Sequence, residues 1–337
     1  MSFYKDFKRA LALIVIAITP AFADPMLADF EYPFEVKRFE FTSQKLPLSM
    51  AYLDVAPQGA ANGDTVVLLH GKNFCAATWE QTIKALSAAG YRVVAPDQIG
   101  FCKSSKPDHY QFSFQQLAAN TRALLQKIGV ERPIIMGHST GGMLALRYAL
   151  MYPQDTKVLV AVNPIGLEDW KAKGVPLKTI DQLYQQELKT TADSIREYER
   201  KTYYVGEWKP DYDKWVDMLA SLYQGKDGEL FAWDQAHTTD MIMSQPVVYE
   251  FGNISVPSLL LIGAKDNTAI GKAWAPPEVA ARVGHYGDLG PEAAKAIKGS
   301  ILVMFPDLGH APQIQDPERF HEALLKNLDL LLRPATP

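Results

Sequence analysis

One serine stands in a sequence pattern that can activate a hydroxyl group. Residues 137–141 read GHSTG, so glycines lie two positions before and two positions after Ser139. An apolar run precedes this G-x-S-x-G pattern and another follows it, which predicts a sharp turn between a strand and a helix. The hydroxyl would then lie at a helix N-terminus, where backbone amides favour developing negative charge. The pattern indicates a nucleophile. The alternative is a glycine-rich turn whose serine caps the helix. His138 is next to the serine in sequence, but on so tight a turn we expect its side chain to point away from it.

A serine nucleophile needs a base, and that base needs a group to orient it. His310 follows the last apolar run of the chain, and Asp266 follows the run before it. The order serine, aspartate, histidine is the one expected for such a triad on a strand-and-helix scaffold. His321 lies within a predicted helix, where we expect it to be solvated or to cap a helix end.

The elements that must position these residues alternate along the chain. Short apolar runs read as strands at 34–41, 48–55, 65–69, 91–95, 134–136, 158–162, 256–262 and 301–305. Helical patterns lie between them or after them, at 79–89, 114–128, 142–151 and 318–332. This alternation predicts an α/β fold with a mostly parallel, doubly wound sheet and helices on both faces.

The alternation stops between residues 165 and 248. This segment lacks a clear apolar strand, carries amphipathic stretches at 180–188 and 215–222, and is rich in Trp and Tyr. We predict a helical cap, or lid, inserted into a core formed by residues 24–164 and 249–337. Its aromatic rings would line an apolar pocket for small or medium hydrophobic substrates, or pack the cap's own core.

The first 23 residues are typical of an export signal. Lys5, Lys8 and Arg9 precede an apolar run at 10–19, and small residues follow at 20–23. The run is shorter than the roughly 20 residues of a membrane span. We therefore expect a cleaved signal and a secreted or periplasmic protein without a stable membrane span; a retained anchor is the alternative.

Composition narrows the function classes. The 337 residues include 34 Lys and Arg against 38 Asp and Glu, a formal net charge of -4, and 47% are hydrophobic. These values are typical of a globular protein and exclude a disordered or collagenous chain. The absence of a basic stripe argues against nucleic acid as a partner. With only two cysteines, no CxxC metal motif can form.

In these motifs the chain resembles the α/β-hydrolases, in particular the capped, esterase-like members, from about residue 34 to residue 332. The shared motifs are His-Gly at 70–71, GHSTGG at 137–142, GAKD at 263–266 and Gly-His at 309–310. The resemblance implies Ser139 as nucleophile, His310 as general base and acid, and Asp266 as the orienting carboxylate. Glu168 or Asp169 is the alternative acid, since some relatives place it after the preceding strand.

The resemblance also implies an oxyanion hole. One donor would be the amide of Thr140, directly after the nucleophile. The other would be the amide of Lys72, or else Asn73, where relatives often have proline or glycine. The side chain of Lys72 is expected to be solvated.

The implied reaction is hydrolysis of carboxylic esters without a metal or an organic cofactor. A carbon–carbon bond hydrolase or a lactonase with the same triad is an alternative, as is a receptor-like ligand-binding protein on the same fold. Relatives that open epoxides or displace halide carry an aspartate at the nucleophile position. Because this chain has a serine there, we do not expect those activities.

The implied fold also suggests a disulfide. Cys75 and Cys102 lie in loops that follow neighbouring strands and leave the same edge of the sheet. An oxidising compartment would preserve such a bond. Two separate buried thiols are the alternative.

Overall fold

The computed structural model describes residues 27–333, so the predicted signal segment lies outside the described residues. One sheet contains eight strands, which are β1 (Val36–Ser43), β2 (Leu46–Val55), β3 (Thr65–Leu69), β4 (Arg92–Pro96), β5 (Ile134–His138), β6 (Val158–Val162), β7 (Ser258–Gly263) and β8 (Ile301–Phe305). Their order in the sheet is β1-β2-β4-β3-β5-β6-β7-β8. The pairs β1–β2 and β2–β4 are antiparallel, and the other neighbours are parallel. The predicted mostly parallel α/β sheet is confirmed.

Helices connect the strands on both sides of the sheet. They are α1 (Glu80–Ala88), α2 (Phe114–Lys127), α3 (Thr140–Met151), α4 (Ile180–Glu187), α5 (Ala192–Thr202), α6 (Asp213–Gln224), α7 (Gly228–Ser244), α8 (Pro277–Ala280), α9 (Tyr286–Ala296), α10 (Pro312–Gln315) and α11 (Pro317–Leu332). Ser113 begins α2, where its side chain accepts a hydrogen bond from the amide of Gln116. Among residues 27–333, none of the helices combines the length and the apolarity that a membrane crossing requires.

Strand β6 illustrates why its neighbours are apolar throughout. All five of its residues are buried. Leu159 and Ala161 pack in the cluster that includes α2, α3 and α9, whereas Val158, Val160 and Val162 pack in the cluster that includes α1 and α11. Successive side chains of a strand point to opposite faces, so a strand covered on both faces has no polar positions. Burying each valine or leucine of such a strand stabilises the fold by about 1.5–3 kcal/mol relative to leaving it exposed.

The segment 165–248, which we call the insertion, carries α4 to α7 between β6 and β7. Thr179 and Thr191 begin α4 and α5 with reciprocal capping-box hydrogen bonds. The insertion is anchored to loops of the sheet domain: Gln235 donates to the carbonyl of Gly100, and the indole of Trp233 donates to the carbonyl of Asp108. Both acceptors lie in the loop after β4, so the insertion contacts the carboxyl-terminal side of the sheet.

Candidate active site

Ser139 occupies a strained turn between β5 and α3. Its backbone has φ 57° and ψ -119°, a left-handed region that non-glycine residues rarely adopt. A methyl group on Gly137 would collide with the carbonyl of Gly141, and one on Gly141 would collide with the carbonyl of Leu69. The two glycines of the pattern are therefore required by the close approach of backbone to backbone. The turn directs the start of α3, with its free amides, toward the serine.

His310 and Asp266 form a buried pair. His310 follows β8 and Asp266 follows β7, and these strands are parallel neighbours. Nδ1 of the histidine lies 2.6 Å from Oδ2 of the aspartate, and both side chains are completely buried. The second oxygen of Asp266 accepts from the amide of Thr268 at 2.8 Å. A carboxylate at Nδ1 holds the proton there and leaves the lone pair on Nε2, the tautomer that a general base needs.

Nε2 of His310 is buried and has no hydrogen-bond partner among residues 27–333. In this part of the chain no hydrogen bond joins it to the hydroxyl of Ser139, which is itself only 6% exposed. Loose contacts between nucleophile and base are common without substrate and tighten when it binds.

Asn163 supports the carboxylate, and the sequence analysis did not single it out. It follows β6, and its Nδ2 donates to Oδ2 of Asp266 at 2.9 Å and to the carbonyl of Gly263 at 3.2 Å. Its Oδ1 accepts from the amide of Gly263 at 2.8 Å. The backbone has φ 35°, which asparagine tolerates better than most residues. An asparagine directly after a buried strand was the available signal.

The structure brings neither of the alternative acids to His310. Glu168 accepts from the indole of Trp170 at 2.8 Å and from the amide of Gly284 at 2.7 Å, and it pairs with a lysine. Asp169 accepts from the hydroxyl of Tyr249 at 3.0 Å. Both carboxylates are engaged elsewhere.

His138 contacts the backbone of His310 rather than Ser139. Its Nε2 lies 2.7 Å from the carbonyl oxygen of His310, and the two ring centroids are 4.8 Å apart. A carbonyl can only accept, so Nε2 carries the proton and Nδ1 does not. Burial lowers the pKa of His138 well below its ordinary value, and the nearby His310 lowers it further. The side chain stays neutral and supports the loop that carries His310.

The loop after β3 lies directly against Ser139. A methyl group on Gly71 would be 3.0 Å from Cβ of Ser139. His70 holds the loop, because its Nε2 accepts from the amide of Gln98 at 3.0 Å and its Nδ1 donates to the carbonyl of Gly71 at 2.8 Å. Burial lowers the pKa of His70, in keeping with this neutral form.

Within residues 27–333, neither proposed oxyanion amide has an internal acceptor. Thr140 is the first residue of α3, where amides precede the first helical hydrogen bond. The amide of Lys72 donates no hydrogen bond within the described residues 27–333. Two free amides beside the serine can receive a developing oxyanion.

The expectation that the Lys72 side chain is solvated is wrong. Its ammonium lies 2.8 Å from a carboxylate oxygen of Glu187, and each side chain is 14% exposed. Asn73 also uses its side chain on the insertion, donating from Nδ2 to the hydroxyl of Tyr203 at 3.1 Å. His321 differs from expectation too: it is partly buried and 3.0 Å from the hydroxyl of Thr82, and burial lowers its pKa to about 4.

Cys75 and Cys102 are bonded to each other, with their Cα atoms 5.8 Å apart. The bond joins the loops after β3 and β4. Together with Asp97 these cysteines are the one group of His, Cys, Asp or Glu in residues 27–333 close enough to share a metal ion. The two sulfurs are bonded to each other, and Asp97 accepts from the amide of Ala76 and the hydroxyl of Tyr32. In this form, the three side chains make structural contacts.

Comparison with protein families identifies one match that covers most of the chain. A family model described as alpha/beta hydrolase fold matches residues 64–317. This range includes Ser139, Asp266 and His310 with the strands that position them.

Individual proteins agree with this match. The crystal structure of a probable hydrolytic enzyme from Pseudomonas aeruginosa PAO1 is 59% identical, with a TM-score of 0.89, over 92% of this chain and 98% of that one. Lipase 1 of Psychrobacter immobilis is 26% identical over 77% of this chain and 75% of its own length. A 2-hydroxy-6-oxo-6-phenylhexa-2,4-dienoate hydrolase of Burkholderia cepacia is 31% identical over 41% of this chain. The chain spans less than half the length of several curated relatives that it matches.

Proposed function

Because the chain belongs to the α/β-hydrolase fold family, we propose that it is an exported serine hydrolase that cleaves carboxylic esters of small to medium hydrophobic substrates. The observation that carries the proposal is the buried His310–Asp266 pair at 2.6 Å, at the same edge of the sheet as a serine in a strained strand-to-helix turn. Export to the periplasm or the medium rests on the amino-terminal signal pattern in the sequence.

In the proposed mechanism, the three side chains act as a catalytic triad. Ser139 attacks the ester carbonyl while Nε2 of His310 takes its proton, and Asp266 stabilises the resulting imidazolium. The amides of Lys72 and Thr140 stabilise the oxyanion, and losing one such donor typically costs about 3 kcal/mol. His310 then protonates the leaving alcohol, which leaves an acyl-enzyme. A water molecule activated by the same histidine releases the acid and restores the serine.

The substrate class rests on what surrounds the base. The ring of Tyr203 lies 4.7 Å from the ring of His310, and Phe74 packs on the edge of the same tyrosine. No positively charged side chain hydrogen-bonds to the His310–Asp266 pair in the described residues 27–333. An apolar, aromatic surface over the base supports uncharged hydrophobic acyl groups.

A carbon–carbon bond hydrolase or a lactonase with the same triad is the second candidate. The observation that favours it is the similarity to the dienoate hydrolase, whose matched region covers 49% of that protein. A receptor-like binding protein without turnover is the third.

The test combines substrates of graded size with a serine-directed probe. Purified protein is assayed with p-nitrophenyl esters of short, medium and long acyl chains, with Ser139→Ala as control. We expect hydrolysis of short and medium chains, none by the variant, and labelling of Ser139 by a fluorophosphonate. Labelling without ester hydrolysis would favour the second candidate. Absence of both would favour the third.

A further inference from the structure

The oxyanion loop, residues 70–73, is held from two sides. On the side of the sheet, the imidazole of His70 accepts from the amide of Gln98 and donates to the carbonyl of Gly71. On the other side, the side chains of Lys72 and Asn73 both end on the insertion. The residue that supplies an oxyanion amide and the residue after it are thus each tied to the insertion.

The first tie is a largely buried ion pair. Glu187, the last residue of α4, accepts from Nζ of Lys72 at 2.8 Å with one oxygen and from the hydroxyl of Tyr223 in α6 at 2.6 Å with the other. Burial raises the pKa of Tyr223 well above its ordinary value, and the charge of Glu187 raises it further, so the hydroxyl remains a donor. At 14% exposure the pair is shielded from salt more than a surface pair is. The side chain of Lys72 therefore links its own backbone to two helices of the insertion, α4 and α6.

The second tie reaches the base as well as the loop. Tyr203 directly follows α5, and its hydroxyl accepts from Nδ2 of Asn73 at 3.1 Å. Its ring packs on His310, and its backbone carbonyl lies so close to Gly309 that a methyl group there would collide with it. One insertion residue thus contacts the oxyanion loop and the loop of the base together.

We propose that Glu187 and Tyr203 are positioning residues for the oxyanion loop, so that the amide of Lys72 is aligned only when the insertion is seated. This inference rests on the proposed function. It assigns the insertion a part in the chemical step, beyond covering the site. Interactions that align a donor for the oxyanion act in the transition state and change kcat, whereas a cover that only contacts substrate changes KM.

Two conservative variants test the ties one at a time. Glu187→Gln removes the charge and keeps an acceptor for Tyr223, and Tyr203→Phe removes the hydroxyl and keeps the ring on His310. The control is Lys214→Met. Lys214 pairs with Glu80 at 3.2 Å. This ion pair also joins the insertion to the sheet domain, but it is exposed and does not involve the oxyanion loop.

The measurements are kcat and KM for a p-nitrophenyl ester that the wild type hydrolyses, and the inhibition constant of an alkyl boronic acid. The tetrahedral boronate formed on Ser139 is anionic and has an oxygen at the position of the oxyanion, so its affinity depends on the oxyanion hole. Removing a whole donor costs about 100-fold to 1,000-fold, and misalignment should cost part of that. We expect kcat and boronate affinity to fall together by about 10-fold in each variant with KM within about twofold, and Lys214→Met to match the wild type.

Several outcomes would overturn the inference. One is unchanged kcat and boronate affinity in both variants, measured on protein whose thermal unfolding matches the wild type. Another is a rise in KM alone, which would reduce the insertion to a cover. A third is an equal loss in Lys214→Met, which would indicate general loosening. If the wild type itself neither hydrolyses an ester nor reacts with a fluorophosphonate, the proposed function fails, and the inference fails with it.

Discussion

A buried carboxyl group in α5 should make the protein less stable as the pH rises. Glu199 is completely buried, and neither of its side-chain oxygens has a hydrogen-bond partner among residues 27–333. The main-chain carbonyl of Glu199 accepts from the amides of Tyr203 and Tyr204, and these hydrogen bonds stabilise the carboxyl-terminal end of α5. Burial raises the pKa of Glu199 from the ordinary 4.5 to about 8. The folded protein therefore keeps this carboxyl protonated at neutral pH.

The direction of the effect follows from proton binding in the two states. Below the ordinary pKa of a glutamate, the folded and the unfolded chain both hold the proton, and the group adds no pH dependence. Between the ordinary and the raised pKa, the unfolded chain has lost a proton that the folded chain retains, so each rise in pH favours unfolding. Applying this linkage to a pKa of 4.5 unfolded and about 8 folded, the free energy of unfolding should fall by about 3.5 kcal/mol between pH 5 and pH 8.

Urea denaturation of Glu199→Gln and wild type at pH 5 and pH 8 measures this contribution. Glutamine does not titrate, so the variant should gain about 3.5 kcal/mol relative to wild type at the higher pH, and all other ionisable groups cancel in the comparison. The control is Glu197→Gln on the same helix, whose side chain is 62% exposed and should show no such change. A difference between Glu199→Gln and wild type that is the same at both pH values would refute the reasoning.

Three further predictions concern the site and its scaffold. Asp266→Asn should lower ester turnover by roughly 100-fold to 10,000-fold because the base loses its orienting carboxylate, whereas Asp169→Asn should stay near wild type; initial rates decide, and the reverse order would move the acid to the segment after β6. Gly141→Ala should fail to give stable folded protein, because its methyl group would collide with a backbone carbonyl of β3. Gly252→Ala has open space and serves as the control. Equal midpoints of thermal unfolding for the two variants would contradict this. Thiol titration of the denatured, unreduced protein should find no free thiol, and reduction should lower stability by on the order of 3 kcal/mol for a span of 27 residues; two free thiols would disprove the bond.

The strands were predictable because burial on both faces leaves a direct mark in the sequence. The strands at 65–69, 158–162 and 301–305 have the predicted bounds, and the other strand boundaries moved by two residues or fewer. The sequence also placed Asp266 and His310 at the ends of neighbouring strands, because parallel strands bring their carboxyl ends to one edge.

Five helices escaped prediction. Two of them, α8 and α10, are single turns of four residues, and the three longer ones escaped for different reasons. Helix α7 buries residues around most of its circumference, so it has no single apolar stripe. Helix α5 is dominated by charged residues, and α9 contains Pro291. Periodicity identifies a helix with one apolar face, which α7 lacks. Helices α5 and α9 each bury one face, but the buried face of α5 includes Glu199 and Thr202, and the proline in α9 argues against a helix.

The missing parts of the site are contacts between distant positions. Lys72 meets Glu187 across 115 positions, and His138 meets the carbonyl of His310 across 172. Nothing in the local pattern around either residue specifies such a partner. Both contacts depend on how the insertion and the last loop settle on the sheet, which is a property of the whole fold.

The burial of the site has a kinetic consequence. Ser139, Asp266 and His310 are 6%, 2% and 0% exposed, so we expect a substrate to reach them after the surrounding structure opens. If the open form were one molecule in about a hundred, productive association would be about a hundredfold slower than simple encounter, and the apparent affinity would fall by the same factor. Under the proposed function, the lowest ester concentration at which the protein works would then depend on how often the site opens, as well as on how well the pocket fits.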